Sequence, residues 1–247
     1  MRAAGYTIGM PEELTHETPL DASLGGPAPG RGDGSGRSLS EQAYDQLLDK
    51  ILRGDLPAGA VLQERSLADS LQISRTPIRE ALGRLENEGV IVRHLGRIIM
   101  VREISVQEIM DVLHIRSMLE TEAVTLANGH IAVEELERLR GQFELLENDP
   151  EPDPADHWQL DDALHNLIAD ASGNVVLSEM VRSLRRRTRM FNLKRMPERY
   201  GPGREEHLAL IDALVRQDVQ AARQAMTTHL DNTRQSILRK LNRPPAR

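Results

Sequence analysis

The sequence predicts a mainly α chain of two domains, and three observations carry that prediction. Aromatic residues make up only 2% of the chain, so Leu, Ile, Val, Met and Ala must build the interior, a palette that favours helices over a sheet sandwich. A length of 247 residues suits two compact cores of roughly 70 to 150 residues better than one. Hydrophobic spacing is helical almost throughout, with one β-branched stretch, VIVRHLGRIIMV, from Val90 to Val101. The expected order is three helices and a two-stranded hairpin, then an antiparallel bundle of about six helices.

Composition narrows the class further. Hydrophobic residues at 39% and charged residues at 28% are those of a soluble globular protein. The chain has no cysteine, which removes disulfides and thiolate metal sites and fits a reducing cytoplasm. No apolar run approaches the roughly 18 residues that span a bilayer, and the amino terminus lacks an apolar secretory stretch, so neither export nor a membrane partner is expected. A formal net charge of −7 argues against a protein that coats nucleic acid, so any basic surface has to be local.

Residues 1–37 contain GGPAPGRGDGSGR, with too little apolar surface to offset chain entropy, and read as a disordered extension. Order is expected from Ser38, where Ser38 and Glu41 offer a capping box and Tyr44, Leu47, Leu48, Ile51 and Leu52 follow at helical spacing to about Arg53. The breaker-rich GDLPAGAVL then crosses the surface to a second helix near Glu64 to Ser70. Ser74 is placed to cap a third helix, Arg75 to about Glu88, with Pro77 tolerated in its first turn and Gly89 ending it. The hairpin turns across His94, Leu95, Gly96 and Arg97. A second capping box at Ser105 and Glu108, with Ile104 and Ile109 as a hydrophobic staple, starts a new unit. From there the helical pattern breaks at 128–130, 148–154, 172–174, 197–203 and near Asp218. The expected division is 38–103 and 104–241, with 242–247 a flexible tail.

Two short helices, a tight turn and an Arg-rich third helix have the layout that pushes a helix end into a major groove. Arg75 and Arg79 are one turn apart, so both project from one face, where a guanidinium can bridge guanine O6 and N7. The hydroxyls of Ser74 and Thr76 and the first-turn N–H groups suit phosphate, fixing register without reading sequence. From Ser74 to Arg102 there are six Arg against three Glu, a local basic segment in an acidic chain. The plainer account, surface arginines pairing with Glu80 or Glu86, leaves the helix-turn and the following hairpin unexplained.

The stretch LQERSLADSLQISRTPIREALGRLENEGVIVRHLGR resembles the winged helix-turn-helix of GntR family regulators, through SRTPIREAL, the lead-in from Leu62 to Ala68 and L-E-x-E-G before the wing. The resemblance implies DNA contacts by Arg65, Ser74, Arg75, Thr76, Arg79 and the wing tip at Gly96 and Arg97. This wing departs from the family pattern in carrying Ile98 where a further Gly is usual.

In the second domain, polar residues interrupt apolar stripes. A helix from Asp153 to Ala171 puts Trp158, Asp161, Leu164, His165 and Ile168 on one face, with Asp161 and His165 at the spacing that lets two side chains share an ion. His207 shares a face with Leu210, Ile211 and Leu214, and His229 with Ala222, Met226, Thr233 and Ile237. The two histidines lie eleven residues either side of Asp218, so a helical hairpin turning there brings them level. Any one of these histidines alone is an ordinary hydrogen-bonded core residue; together the four can hold a divalent ion, Zn, Ni or Mn. His157 reads as solvent-facing, and His16, His114 and His130 have no evident partner.

IRSMLETEAVTLA, LDDALHNLIADASGN and EEHLALIDALVRQDVQAARQAMTTHL resemble the all-helical FCD-type sensing module of the FadR-like branch of that family. Its D-x-x-x-H and two later His map onto Asp161, His165, His207 and His229. It implies a small organic acid beside the ion, aided by an Arg on the first helix, here Arg116, for which a salt bridge to Glu120 is the simpler role. Arg187, on the line of Leu177, Met180, Leu184 and Phe191, is a second effector candidate. The function expected is that of a homodimeric transcription regulator, most simply a repressor, binding near-palindromic double-stranded DNA under control of an organic or sugar acid. The competing account, a metal-dependent hydrolase fused to a DNA-binding domain, lacks a HExxH motif and has only Asp162 as a candidate base.

Overall fold

A computed structural model of the chain describes residues 36–148, 153–191 and 199–241; nearly all of the extension and the 242–247 tail lie outside them. Helix α1 (Leu39–Arg53) begins on the complete Ser38/Glu41 capping box and ends at Gly54, whose φ of 80° is left-handed. It packs on α3 (Arg75–Asn87), with α2 (Glu64–Leu71) between them in sequence. Ile78, Ala81, Leu82 and Leu85 form the buried stripe of α3, and the buried Pro77 sits in the first turn, where no N–H is needed.

Strands β2 (Ile91–His94) and β3 (Ile98–Val101) pair antiparallel, His94 opposite Ile98. A third strand, β1 (Val61–Leu62), adds to the far side of β3 and gives the order β1-β3-β2. This strand lies in the segment read from sequence as plain connection, because two residues are too few to show an alternation. Leu95 and Gly96, both at positive φ, make the wing turn, closed by the Arg97 amide donating to His94 O.

Among the described residues six helices follow: α4 (Val106–Ala127), α5 (Val133–Asn148), α6 (Pro154–Ala171), α7 (Val175–Met190), α8 (Tyr200–Val215) and α9 (Val219–Leu241). Ser105 caps α4 through Glu108 N, but the Glu108 side chain binds Arg102 at 2.8 Å, so only half of the expected capping box forms. The expected break over 197–203 is shorter on its described side, since Gly201, Pro202 and Gly203 belong to the first turn of α8, where proline removes no intrahelical bond. Ala123, Val124, Leu136, Leu139, Phe143, Leu164, Ile168, Val181, Leu210, Ile211, Met226 and Leu230 make the bundle core. Helix α7 reaches beyond it: Met190 is buried in the core built on α1–α3, and Arg186 pairs with Glu88 at the end of α3, at 3.5 Å.

Candidate metal centre and nucleic-acid interface

The α8–α9 hairpin turns at 216–218 and sets the His207 and His229 rings 4.4 Å apart, as the symmetric spacing about Asp218 demands. Helix α6 brings Asp161 and His165 against them. One ligand atom from each of Asp161, His165, His207 and His229 lies within 4.8 Å of all the others, and the three histidines are buried. Asp161 Oδ1 stands 3.0 Å from His207 Nε2, 3.8 Å from His165 Nε2 and 3.9 Å from His229 Nε2.

The outer nitrogens fix which ring atoms face inward. His165 Nδ1 is held by the Glu120 carboxylate, and His229 Nδ1 lies 2.9 Å from Glu206 Oε2. An ionised carboxylate only accepts, so each Nδ1 carries the hydrogen and each Nε2 turns a lone pair to the centre. Burial pushes the His165 imidazole down to about 3, with the Arg185 charge adding to it, and pushes His229 down to about 4, with His207 adding to it. Both rings are therefore neutral, as ligands must be. Burial alone would raise Asp161, but Arg185 beside it and the His207 hydrogen bond hold it well below the usual carboxylate range. The inward lone pairs of His165 and His229, the ionised Asp161 carboxylate and His207 Nε2, 3.4 Å from His165 Nε2, form a donor set that a divalent cation fits once the His207 hydrogen sits on Nδ1 instead.

A cavity of about 90 Å³ opens on this centre. One water needs roughly 10–15 Å³ on this measure, so there is room for a small molecule beside an ion. Arg116 makes the salt bridge to Glu120 that was its simpler reading, its Nε donating at 2.6 Å and its NH1 donating to Thr188 Oγ1 at 3.1 Å, and it also lines the cavity. Arg187 is not among the lining residues; its guanidinium lies 3.9 Å from Glu108. The reason is the face of α7 that turns inward, which is Leu177, Val181, Arg185 and Thr188 rather than the line through Met180, Leu184 and Arg187. His157, read as solvent-facing, instead lines the cavity and stacks on Tyr200, ring centroids 4.3 Å apart.

The side chains that hold the ligands are those the sequence reading passed over. Arg185, 3% exposed, bridges Asp161 and Asp162, its NH2 2.7 Å from Asp162 Oδ1, and Arg189 holds the other Asp162 oxygen at 2.6 Å. Arg199 grips Glu206 with two bonds of 2.8 and 2.6 Å, and with the His229 contact this holds Glu206 down at about 2 against the opposing effect of burial. The signal was present for Arg185 and Glu120, each a turn from apolar residues on a buried face.

In the amino-terminal unit Arg65, Ser74, Arg75, Thr76, Arg79, Gly96 and Arg97 are all exposed. Arg75 and Arg79 do pair, but with neither Glu80 nor Glu86: both reach Glu64 at the start of α2, at 3.3 and 2.9 Å, while staying 61% and 64% exposed. Pairs so open to solvent are weakly held, so the guanidinium groups are aligned yet available. Ser74 occupies the N-cap position of α3 as expected, but its exposed side chain makes no capping bond, which leaves the first-turn N–H groups without that partner.

An exposed basic helix end with a wing, joined to a helical bundle that carries a candidate metal site, is the organisation of a DNA-binding regulator. The family model "Bacterial regulatory proteins, gntR family" matches residues 39–101, and the FCD domain model matches 111–232. The "Putative L-lactate dehydrogenase operon regulatory protein" of Escherichia coli (strain K12) is 30% identical over 223 residues, covering 78% of this chain and 84% of that protein. The "Uncharacterized HTH-type transcriptional regulator YcbG" of Bacillus subtilis (strain 168) is 27% identical over 217 residues, 82% of this chain and 91% of that one. Among solved structures, E. coli McbR/YncC superposes with a TM-score of 0.74 at 24% identity, covering 83% of this chain and all of that one, and so shares the fold. The chain belongs to the GntR family of transcription regulators and carries an FCD domain. Its relatives are regulators rather than enzymes, which sets the hydrolase account aside.

Proposed function

We propose that this chain is a homodimeric repressor that binds a near-palindromic operator and releases it when a small organic acid binds beside a divalent ion held by Asp161, His165, His207 and His229. The observation that carries the reading is the convergence of those four ligands, backed by Glu120 and Glu206, at the floor of a cavity that Arg116 also lines. The ion would act as a Lewis acid toward an acid's oxygens; Arg116 supplies the complementary charge. Repression has a parallel in the name of a relative, the "Probable D-xylose utilization operon transcriptional repressor" of Paenarthrobacter nicotinovorans, 28% identical over 199 residues. The reading head would be residues 38–103, with Arg75 and Arg79 on base edges, Ser74, Thr76 and Arg65 on phosphates and the Gly96–Arg97 tip in the adjacent minor groove. Residues 104–241 would sense and dimerise.

A metal that binds only the folded chain stabilises it by mass action, about 2.7 kcal/mol at a hundredfold excess over Kd. For a chain of this size that corresponds to a rise in Tm of about 5–10 °C on adding Zn(II), Ni(II) or Mn(II) to chelator-treated protein. The same addition should leave the His207→Ala protein unmoved. An equal rise in both proteins counts against the site.

Helix α7 offers the route from sensor to reading head. Arg185 and Thr188 meet the centre and its cavity, while Arg186 and Met190, within a turn and a half, meet Glu88 and the core behind α3. An acid that favours one placement of α7 shifts the population of reading-head placements by no more than its differential affinity. The Arg186→Ala protein should keep the metal-dependent rise in Tm and yet lose at least threefold of the acid's effect on operator affinity. A full response in that protein excludes this route.

A further inference from the structure

The chain has only six aromatic residues, and three of them, Phe143, Trp158 and Tyr200, line the one cavity of about 90 Å³ described above. A protein that builds its cores from aliphatic side chains has gathered half its aromatic rings in one place. Phe143 has a packing role there, stacked on the metal-centre ring of His207 at 5.0 Å. Trp158 and the His157–Tyr200 stack do not serve the centre in that way and are only half-buried, with their rings forming the cavity wall. Two buried polar atoms on that wall, Trp158 Nε1 and His157 Nε2, have no hydrogen-bond partner among the described residues. Buried polar groups are rarely left so, and a ligand that fills the cavity is one way to satisfy them.

The remaining polar lining argues against a polyol. Among the described residues no Asn or Gln faces the cavity, and the hydroxyls of Thr188 and Thr233 already donate to Leu184 O and His229 O while accepting from Arg116 and Arg199. A sugar acid would bury several hydroxyls against groups already committed, at a cost in affinity. A flat apolar body meets the opposite conditions: offset stacking on the rings, a carboxylate toward Arg116 and the metal ligands, and one polar substituent for the unpartnered Trp158 N–H and His157 Nε2.

Resting on the organic-acid reading above, we propose that the effector is an aromatic carboxylic acid bearing a ring hydroxyl or similar polar substituent. Trp158 is the only tryptophan in the chain, so its fluorescence reports on the cavity wall directly. The test titrates full-length protein, loaded with Zn(II), with 4-hydroxybenzoate, benzoate, L-lactate, succinate and gluconate, reading tryptophan emission and, independently, calorimetric heat. The expected result is saturable quenching by 4-hydroxybenzoate, binding at least tenfold tighter than any of the three aliphatic acids and severalfold tighter than benzoate. Trp158→Leu, followed by calorimetry, should lose at least tenfold for the aromatic acids while keeping its Zn(II)-dependent rise in Tm. Aliphatic acids binding as tightly as 4-hydroxybenzoate would overturn the aromatic assignment and leave the organic-acid reading standing. Binding of none of the five acids to protein that demonstrably holds Zn(II) would overturn both.

Discussion

The Arg79→Ala protein is expected to bind its operator roughly 10- to 100-fold more weakly than wild type and to accept substitutions at one base pair of each half-site that wild type rejects. The expectation follows from where the guanidinium stands. Arg79 lies on the exposed first turns of α3, one turn from Arg75, and its contact to Glu64 is open to solvent. That contact fixes its direction and engages Nε and NH2 in a solvated pair that is readily exchanged. Exchange of a solvated ion pair for a guanine edge leaves the fork geometry intact, so the loss on truncation is a loss of base reading rather than of folding. Arg65→Ala, on the phosphate side, should weaken binding evenly across operator sequences and lower the salt dependence by about one counterion. An Arg79→Ala protein with wild-type affinity and wild-type preference at every position would remove Arg79 from the reading set.

A second large effect is expected inside the bundle. Arg185→Leu should destabilise the chain by about 3–5 kcal/mol, because removing one partner strands the other charges in a buried setting. Three carboxylates lose the same cation: Asp161 and Asp162 directly, and Glu120, which lies 3.8 Å from Arg185 NH1. For a chain of this length that is a fall in Tm of roughly 6–20 °C. Arg185→Lys keeps the charge but loses the fork, and should fall between the two. A change under about 2 °C in thermal denaturation of Arg185→Leu would mean the carboxylates find other partners.

Sequence periodicity disclosed most of the architecture because the signals are local. The Ser38 and Ser105 caps, the stripe of α3 and the hairpin of α8 and α9 each depend on neighbours within a few turns. The four convergent ligands were legible for the same reason: three helical faces each carried a polar residue among apolar ones, and Asp218 set the register of two of them. What escaped was set by distance in sequence. Glu64 reaches Arg79 across fifteen positions and Glu206 reaches His229 across twenty-three, pairings that no periodicity announces. The face of α7 was misjudged by one position because Arg185 itself is buried, and a buried arginine reads in sequence as the solvent side. Strand β1 is visible only once β3 is there to pair with it.

The most direct test of metal-dependent, acid-controlled repression is the affinity of wild-type and His207→Ala proteins for an operator fragment recovered by in vitro selection, measured by fluorescence anisotropy in Zn(II) with and without a saturating acid. Both proteins should bind the fragment, because His207 lies in the sensing bundle and outside the reading head. The acid should weaken wild-type binding at least tenfold and leave the His207→Ala protein unchanged. An equal response in the two proteins, or none in wild type carrying both metal and acid, would contradict the account.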